Sequence, residues 1–158
     1  MKKYIIGGFL FACIGLQSCQ NTTSEKKLKN DATKQEKPIA VTCYKSIYDK
    51  DSITLQLNSL KDGKISGDMM MSFNNAAVKK GTVSGNTSGD TIFVSYTFIE
   101  GDNTKVTFKN PMAFLKRGDS LVLGNGKMQT TMGATYFVKG EPIDFDRVKF
   151  KFSVVDCK

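Results

Sequence analysis

Apolar and polar residues alternate with a period of two along much of this chain, and no other feature limits the possible folds as strongly. In SITLQLNSL the apolar residues Ile53, Leu55 and Leu57 share one face, and the residues between them are polar. KISGDMMMSF, DTIFVSYTFI and RVKFKFSVVDC repeat the pattern. Successive side chains of a strand point to opposite faces, so this alternation indicates antiparallel strands with one buried face. The sequence therefore predicts an all-β protein.

Short segments rich in Gly and Asp separate the predicted strands, among them KDGK, SGD, EGDN and RGD. Such residues favour tight hairpin turns, and strands that recur about every 8–14 residues are typical of a sandwich or barrel. An open meander would leave two unpaired edges, whereas closure into a barrel removes them. We therefore predict an up-and-down antiparallel, lipocalin-like barrel of about eight strands over residues 39–158. Pro111 predicts a bulge or bend in its strand.

The N-terminal segment, MKKYIIGGFLFACIGLQSCQ, resembles a bacterial lipoprotein signal peptide. Two lysines precede an apolar run over residues 4–16, which is shorter than an ordinary membrane-spanning helix. The run ends in LQSC, which is similar to a lipobox whose cysteine is Cys19. The resemblance implies removal of residues 1–18 and acyl chains, such as palmitate, on Cys19 that hold the protein on a membrane. An uncleaved apolar helix and an ordinary secretory signal are the alternatives.

Residues 19–38 form the next predicted segment, the lipidated cysteine followed by a flexible tether. The sequence QNTTSEKKLKNDATKQEKP holds almost no apolar side chains, so it cannot bury enough surface to offset the entropy lost on ordering. A lipoprotein with this organisation belongs to the bacterial cell envelope. We expect it on the outer membrane, facing the periplasm or the cell surface. The net charge is +8, but the lysines are scattered, and we expect no nucleic-acid partner.

The four cysteines are Cys13, Cys19, Cys43 and Cys157. Under the lipoprotein resemblance, Cys13 leaves with the signal peptide and Cys19 carries the lipid. Cys43 and Cys157 then remain in an oxidising compartment where disulfides persist, and a bond between them is the predicted state. That bond would join the first strand to the last, which are antiparallel neighbours in a closed barrel with an even number of strands. Two free thiols or a metal pair are the alternatives.

The residue types argue against most enzyme chemistries. The chain has no His, so the commonest general base and metal ligand is missing, and we expect no enzyme activity, cofactor or metal site. Met69, Met70 and Met71 are soft ligands suited to copper, but a regular strand turns Met70 away from the other two. We interpret the acidic stretch EPIDFD as a solvated loop rather than a calcium site, and RGD as a turn rather than an integrin motif.

Two functional hypotheses follow from the predicted barrel. KISGDM and GTVSGNTSGDTIFVSYTF resemble the strand–turn–strand rhythm of lipocalin-like barrels in bacterial lipoproteins, and loosely that of the NlpE envelope lipoproteins, whose CxxC motif this chain lacks. In the first hypothesis the barrel binds a small apolar ligand, because eight strands leave room for one. In the second the core is solid, and the protein is a structural or partner-binding lipoprotein without a ligand. The predicted ligand-binding residues are Leu55, Leu57, Met69, Met71, Tyr96, Phe98, Phe150 and Phe152.

Overall fold

The computed structural model describes residues 36–132 and 134–157, which form a closed antiparallel β-barrel with a short insertion. The predicted signal peptide, the predicted lipidation site Cys19 and residues 20–35 of the predicted tether lie outside the described residues. The strands, in chain order, are β1 (Ala40–Tyr48), β2 (Asp51–Ser59), β3 (Lys64–Ser72), β4 (Lys79–Ser88), β5 (Thr91–Glu100), β6 (Phe108–Arg117), β7 (Ser120–Leu123), β8 (Asn125–Gly126), β9 (Met128–Thr131), β10 (Ala134–Phe137), β11 (Ile143–Asp144) and β12 (Lys151–Val155), and a 3-10 turn covers Lys61–Gly63. β1 to β7 and β12 make up the barrel, which confirms the predicted all-β class and the closed up-and-down arrangement.

Strands β1 to β6 form a regular meander in which each strand pairs with the next. β4 and β5, for example, are in register over their whole length, from Lys79↔Glu100 to Ser88↔Thr91. The turn between them contains Gly89, whose φ of 57° lies in the left-handed region that glycine adopts without strain. KDGK, SGD and RGD therefore form short hairpin connections, as predicted, whereas EGDN begins a longer loop between Glu100 and Phe108.

Pro111 lies in β6 without the predicted bulge. The β5–β6 register runs unbroken along the strand, and Pro111 is paired opposite Ser95. On the other side of β6, β7 pairs only with residues 114–117. No barrel strand on that side requires a hydrogen bond from Pro111, and a proline is tolerated in a strand where its missing N–H is not needed by the ladder.

The last strand, β12, closes the barrel between β1 and β7. It pairs with β1 from Cys43↔Val155 to Lys45↔Ser153, and with β7 at only two positions. A disulfide links Cys43 to Cys157, with the Cα atoms 5.2 Å apart and a sequence separation of 114. The predicted disulfide and the predicted pairing of the first and last strands are both confirmed.

Residues 124–150 form an insertion between β7 and β12 that the sequence pattern did not reveal. It contains two small sheets, one of β8 with β11 and one of β9 with β10. The amide of Gly124 donates to the carbonyl of Ala113 on β6 at 2.9 Å. Ala113 faces outward, because its partner Phe93 does, yet it is completely buried. The insertion therefore covers part of the outer face of the barrel.

The core occupies the inside of the barrel, on the face that the alternation predicted for β2, β3 and β5. For β12 the prediction holds only in part. Phe152 is completely buried, but Val154 is 50% exposed, although both were predicted on the same buried face. The strand begins at Lys151, so Phe150 and Val148 precede it. Val154 is exposed because it lies near the end of a five-residue strand, where the barrel wall is short. The core cluster is Ile53, Leu55, Leu57, Ile65, Met69, Met71, Val83, Ile92, Val94, Tyr96, Phe98, Met112, Phe114, Leu121 and Phe152.

Candidate functional site: the barrel interior and two clefts on its outer face

The residues predicted to bind a ligand do converge inside the barrel. Seven of them belong to the buried core cluster, and Phe150 is partly buried and packs against it. They contact one another and other core residues closely: the rings of Tyr96 and Phe98 stack with centroids 4.7 Å apart, and Phe152 packs edge-on against the core residue Phe114 at 5.5 Å. The predicted set is therefore a packed core, and its ligand-binding role stays a prediction.

Tyr96 places a polar group inside this core, and the protein itself provides its hydrogen-bond partners. Its hydroxyl lies 3.1 Å from the carbonyl oxygen of Met69 and 3.0 Å from that of Lys79, so it donates to one or the other. Burial raises the pKa of Tyr96 to about 12. A phenol with this pKa stays protonated at neutral pH, so it serves as a structural donor rather than as an acid or base.

Gly81 brings the strands around Tyr96 close together. It occupies an inward position on β4, opposite Met69 on one side and Phe98 on the other. A Cβ at this position would collide with the carbonyl oxygen of Thr97 and the Cα of Phe98. A strand glycine of this kind marks close approach of two backbones. The space that a side chain would take at Gly81 is therefore occupied by backbone atoms of the neighbouring strand and is not empty.

Side chains also cover one end of the barrel. Lys79 and Glu100, the last inward pair of β4 and β5, form an ion pair at 3.3 Å, and the ammonium group of Lys79 lies 5.2 Å from the centre of the Phe98 ring. Nearby, Phe150 packs against Phe73 and Tyr48 with ring centroids 6.0 and 6.1 Å apart. Aromatic pairs at these distances are favourable, so this end of the barrel is lined by side chains that pack against one another.

Apart from Tyr96, Ser46 is the one buried residue with a polar side chain in the part of the chain that the structure describes. It lies on the inner face of β1, opposite Ile53 of β2. It is 2% exposed, and its hydroxyl has no hydrogen-bond partner among the described residues. A buried hydroxyl without a partner costs about 1–3 kcal/mol relative to water, so this is the point in the interior where a polar guest would gain most.

A large groove runs across the outer face of β1 to β4, and we call it the outer groove. Its volume is about 940 Å³. The strand register aligns two rows of outward-facing side chains along the two sides of the groove. Between these rows lies a third row whose side chains face the barrel interior, so that only its backbone forms the floor of the groove. This third row is Tyr44, Leu55, Met69 and Gly81. The two outward rows are Cys43, Gln56, Asp68 and Thr82, and Lys45, Thr54, Met70 and Lys80.

A smaller cleft of about 340 Å³ lies between the outer face of β4 to β6 and the β9–β10 hairpin, and we call it the hairpin cleft. Its lining includes Phe93 and Lys109 from the barrel and Tyr136 from the hairpin. Neither cleft was predictable from the sequence pattern, because both depend on register and on the insertion. The feature that could have pointed to the hairpin cleft is its pair of outward-facing aromatic residues, Phe93, which is 42% exposed, and Tyr136, which is 52% exposed.

The acidic stretch EPIDFD does not gather its carboxylates around one point. Asp144 accepts hydrogen bonds from the amides of Asp146 and Arg147, and these bonds lower its pKa to about 2. Asp146 pairs with Arg117 at 2.7 Å, and Glu141 pairs with Lys127 at 3.4 Å. Over the described ranges, no group of three His, Cys, Asp or Glu residues is placed to hold a metal ion.

Comparisons with known proteins add no family to this description. No protein-family model matches the chain, and neither the curated proteins nor the solved structures contain a match. Within residues 36–132 and 134–157, no helix is long and apolar enough to cross a membrane. What the fold and its clefts define is an antiparallel eight-stranded barrel with a packed, disulfide-closed core and two clefts on its outer face.

Proposed function

We propose that this protein is a membrane-anchored lipoprotein of the bacterial envelope that acts through the outer face of a solid barrel. The observation that supports this proposal best is the contrast between the packed interior of the barrel and the open groove on its outer face. The interior is filled by aromatic and aliphatic side chains that contact one another, whereas a cleft of about 940 Å³ lies on the outer face. The proposed role is to hold a protein partner at the envelope rather than to carry a small molecule.

The anchor is proposed from the N-terminal resemblance to lipoprotein signals. The lipid on Cys19 and the tether up to residue 38 would lead directly into β1, which begins at Ala40. The disulfide ties β1 to the chain's C-terminal segment at Cys157, so the strand that carries the tether is covalently joined to the strand that closes the barrel.

The anchor has a direct test with a matched control. We expect Cys19→Ser to abolish lipidation and to move the protein from the detergent phase to the aqueous phase. Cys13→Ser should have no such effect, because Cys13 would leave with the signal peptide. Partition of the Cys19→Ser variant into detergent at the level of the unchanged protein would refute the anchor.

The outer groove has the residue types of a protein interface. Lys45 and Lys80 supply positive charge, Asp68 supplies negative charge, and Met70 lies exposed between them. Interfaces between separate proteins are about as polar as other surface, and methionine is enriched at their centres. Met also adapts its shape to different partners because its side chain is unbranched and flexible.

Photocrosslinking in intact cells tests this groove. A photoreactive phenylalanine analogue in place of Met70 should give a protein adduct of defined mass, since its side chain would project into the interface. The same analogue in place of Ile47, which is 64% exposed on β1 but does not line the groove, is the matched control. Adducts that are equally strong at both positions, or absent from Met70, would count against the proposal.

A second candidate function remains the binding of a small apolar molecule inside the barrel. Ser46 favours it, because its buried hydroxyl has no partner among the described residues and a ligand or water could supply one. Met69 and Met71 line the same interior and can rearrange more readily than branched side chains. If the interior is always solid, Ser46→Ala should stabilise the fold or leave it unchanged, because it removes an unpaired polar group. A guest that bonds to Ser46 would instead make the substitution destabilising and weaken its own binding.

A further inference from the structure

The hairpin cleft has a regular floor and two contrasting ends. Ser84, Ser95 and Pro111 are register partners across β4, β5 and β6, and they form one outward row beneath the cleft. Phe93 lies in the next row toward one end, and Lys109 lies in the next row toward the other. The opposing wall is residues 134–137 of β10. The cleft therefore presents hydroxyl groups in the middle, an aromatic ring at one end and a cation at the other.

The wall of the cleft is held in place by contacts within the insertion. Val138 donates its amide to the carbonyl of Lys127 at 2.8 Å and so holds the base of the β9–β10 hairpin together. A Cβ on Gly126 would lie only 2.5 Å from the ring of Phe137, which shows how closely that ring packs against the β8 backbone. Together with the buried outward residue Ala113, these contacts make the cleft part of the folded structure.

Two aromatic side chains on opposite walls of the cleft face solvent. Phe93 is 42% exposed on the barrel side, and Tyr136 is 52% exposed on the hairpin side. Leaving apolar ring surface in water is unfavourable, by roughly 25 cal/mol for each Å². A flat apolar molecule between the rings would cover both, and offset or edge-on ring contacts would add to the gain.

Charge distinguishes this cleft from the outer groove. Among the described residues that line it, Lys109 is the only charged one. Lys109 takes part in none of the ion pairs formed by the described residues. A negatively charged group would therefore meet one unpaired ammonium and two serine hydroxyls without an opposing carboxylate.

We propose that the hairpin cleft is a binding site for a small aromatic anion, with the ring between Phe93 and Tyr136 and the negative group at Lys109. The volume of about 340 Å³ is at the small end of the range for ligand sites, about 300–1,000 Å³, so it suits a molecule of one or two rings. The site shares no lining residue with the outer groove, and it does not depend on the membrane anchor or on a protein partner.

Fluorescence titration with a matched pair of probes tests the proposal on the mature chain. The anionic probe is 8-anilinonaphthalene-1-sulfonate, and its neutral counterpart is N-phenyl-1-naphthylamine, which has the same rings without the sulfonate. We expect saturable binding of the anionic probe and a weaker affinity for the neutral one. Lys109→Gln should weaken the anionic probe about tenfold and leave the neutral probe within about twofold, as expected for loss of one charge contact. Lys64→Gln, on an exposed lysine of β3 outside the cleft, is the control and should change neither.

A second variant and a second readout locate the bound probe. Tyr136→Ser removes one ring wall and should weaken both probes, while an unchanged melting temperature would show that the hairpin still folds. Amide chemical shifts should move at Ser95, Lys109 and Thr135 when the anionic probe is added. The proposal is overturned if the probe does not bind at about 1 mM, a concentration that corresponds to only about 4 kcal/mol of binding free energy. It is also overturned if Lys109→Gln leaves the affinity unchanged, or if the shifts map to the outer groove or to the barrel interior.

Discussion

The meander β1 to β6 and the closing seam β7–β12 solve the same problem of strand pairing in different ways. β4 and β5 pair along ten positions, from Lys79↔Glu100 to Ser88↔Thr91. β12 pairs with β7 at two positions and with β1 at three. The disulfide lies on the β1 side of β12, between Cys43 of β1 and Cys157 just beyond the end of β12. Where the ladder is long, hydrogen bonds and core packing hold neighbouring strands together, and at the three-position β1–β12 ladder a covalent bond limits how far the strands can separate.

The largest expected effect comes from removing that covalent bond. Cys43→Ala with Cys157→Ala should lower the free energy of unfolding by about 4–5 kcal/mol, because a bond that closes a loop of about a hundred residues restricts the unfolded chain by that amount. Urea denaturation measures the loss. Hydrogen exchange should show that amides of β12 lose protection before those of β4 and β5. A loss below about 1 kcal/mol would mean that the ladders hold the seam unaided.

Glycines in the two regions provide the next contrast. A Cβ on Gly81 in the meander would meet backbone atoms of Thr97 and Phe98, whereas a Cβ on Gly126 in the insertion would meet the ring of Phe137. A side-chain ring can turn aside more readily than a paired strand can move. We expect Gly81→Ala to cost about 3 kcal/mol and Gly126→Ala about 1 kcal/mol, the two ends of the usual range for overpacking.

Thermal denaturation of both variants measures the difference. Equal costs would show that the insertion is packed as tightly as the meander. Gly118→Ala is not a suitable control, because Gly118 has a φ of 60°, and an alanine there would be strained for a different reason.

The smallest expected effect is a pH dependence confined to the insertion. The amides of Asp146 and Arg147 hold the pKa of Asp144 at about 2, below its usual 3.8. A depressed pKa in the folded state means that the contribution of Asp144 is present above about pH 4 and is lost as the pH falls toward 2. Asp144 is only partly buried and lies in the small β8–β11 sheet outside the barrel, so we expect only a small local change.

NMR titration of the Asp144 carboxyl group checks this prediction. The amides of Asp146 and Arg147 should shift with the same midpoint, while those of β4 and β5 should not respond. A midpoint near 4 would show that these hydrogen bonds do not persist in solution.

The meander was more predictable from the sequence than the rest. Alternation gave the buried faces correctly for Leu55, Met69 and Tyr96, because a strand with one wet face leaves a period of two in the sequence. The pairing of Cys43 with Cys157 followed from the number of cysteines and the expected compartment. Both inferences rest on local pattern or on counting.

The insertion and the two clefts were not predictable in this way. Ala113 is buried on the outside of the barrel because residues 124–150 fold over it, a long-range contact that leaves no periodic signal. Ser46 is a polar residue in the core, so a prediction from hydropathy would place it on the solvent-facing side of β1. The outer groove arises from the cross-strand alignment of Lys45, Thr54 and Met70, and alternation shows which face a residue occupies but not the shape of that face.

Neighbouring methionines on β3 give the most direct test of the claim that the barrel is solid inside and acts outside. Met71 is 8% exposed and faces the core, whereas Met70 is 39% exposed and faces the outer groove. The account predicts that Met71→Ala lowers the free energy of unfolding by about 2–5 kcal/mol and Met70→Ala by no more than about 0.5 kcal/mol. It also predicts no rise in melting temperature with added fatty acid. A loss below about 1 kcal/mol for Met71→Ala, together with a fatty-acid-dependent rise in melting temperature of the unchanged protein, would contradict the account and favour a ligand inside the barrel.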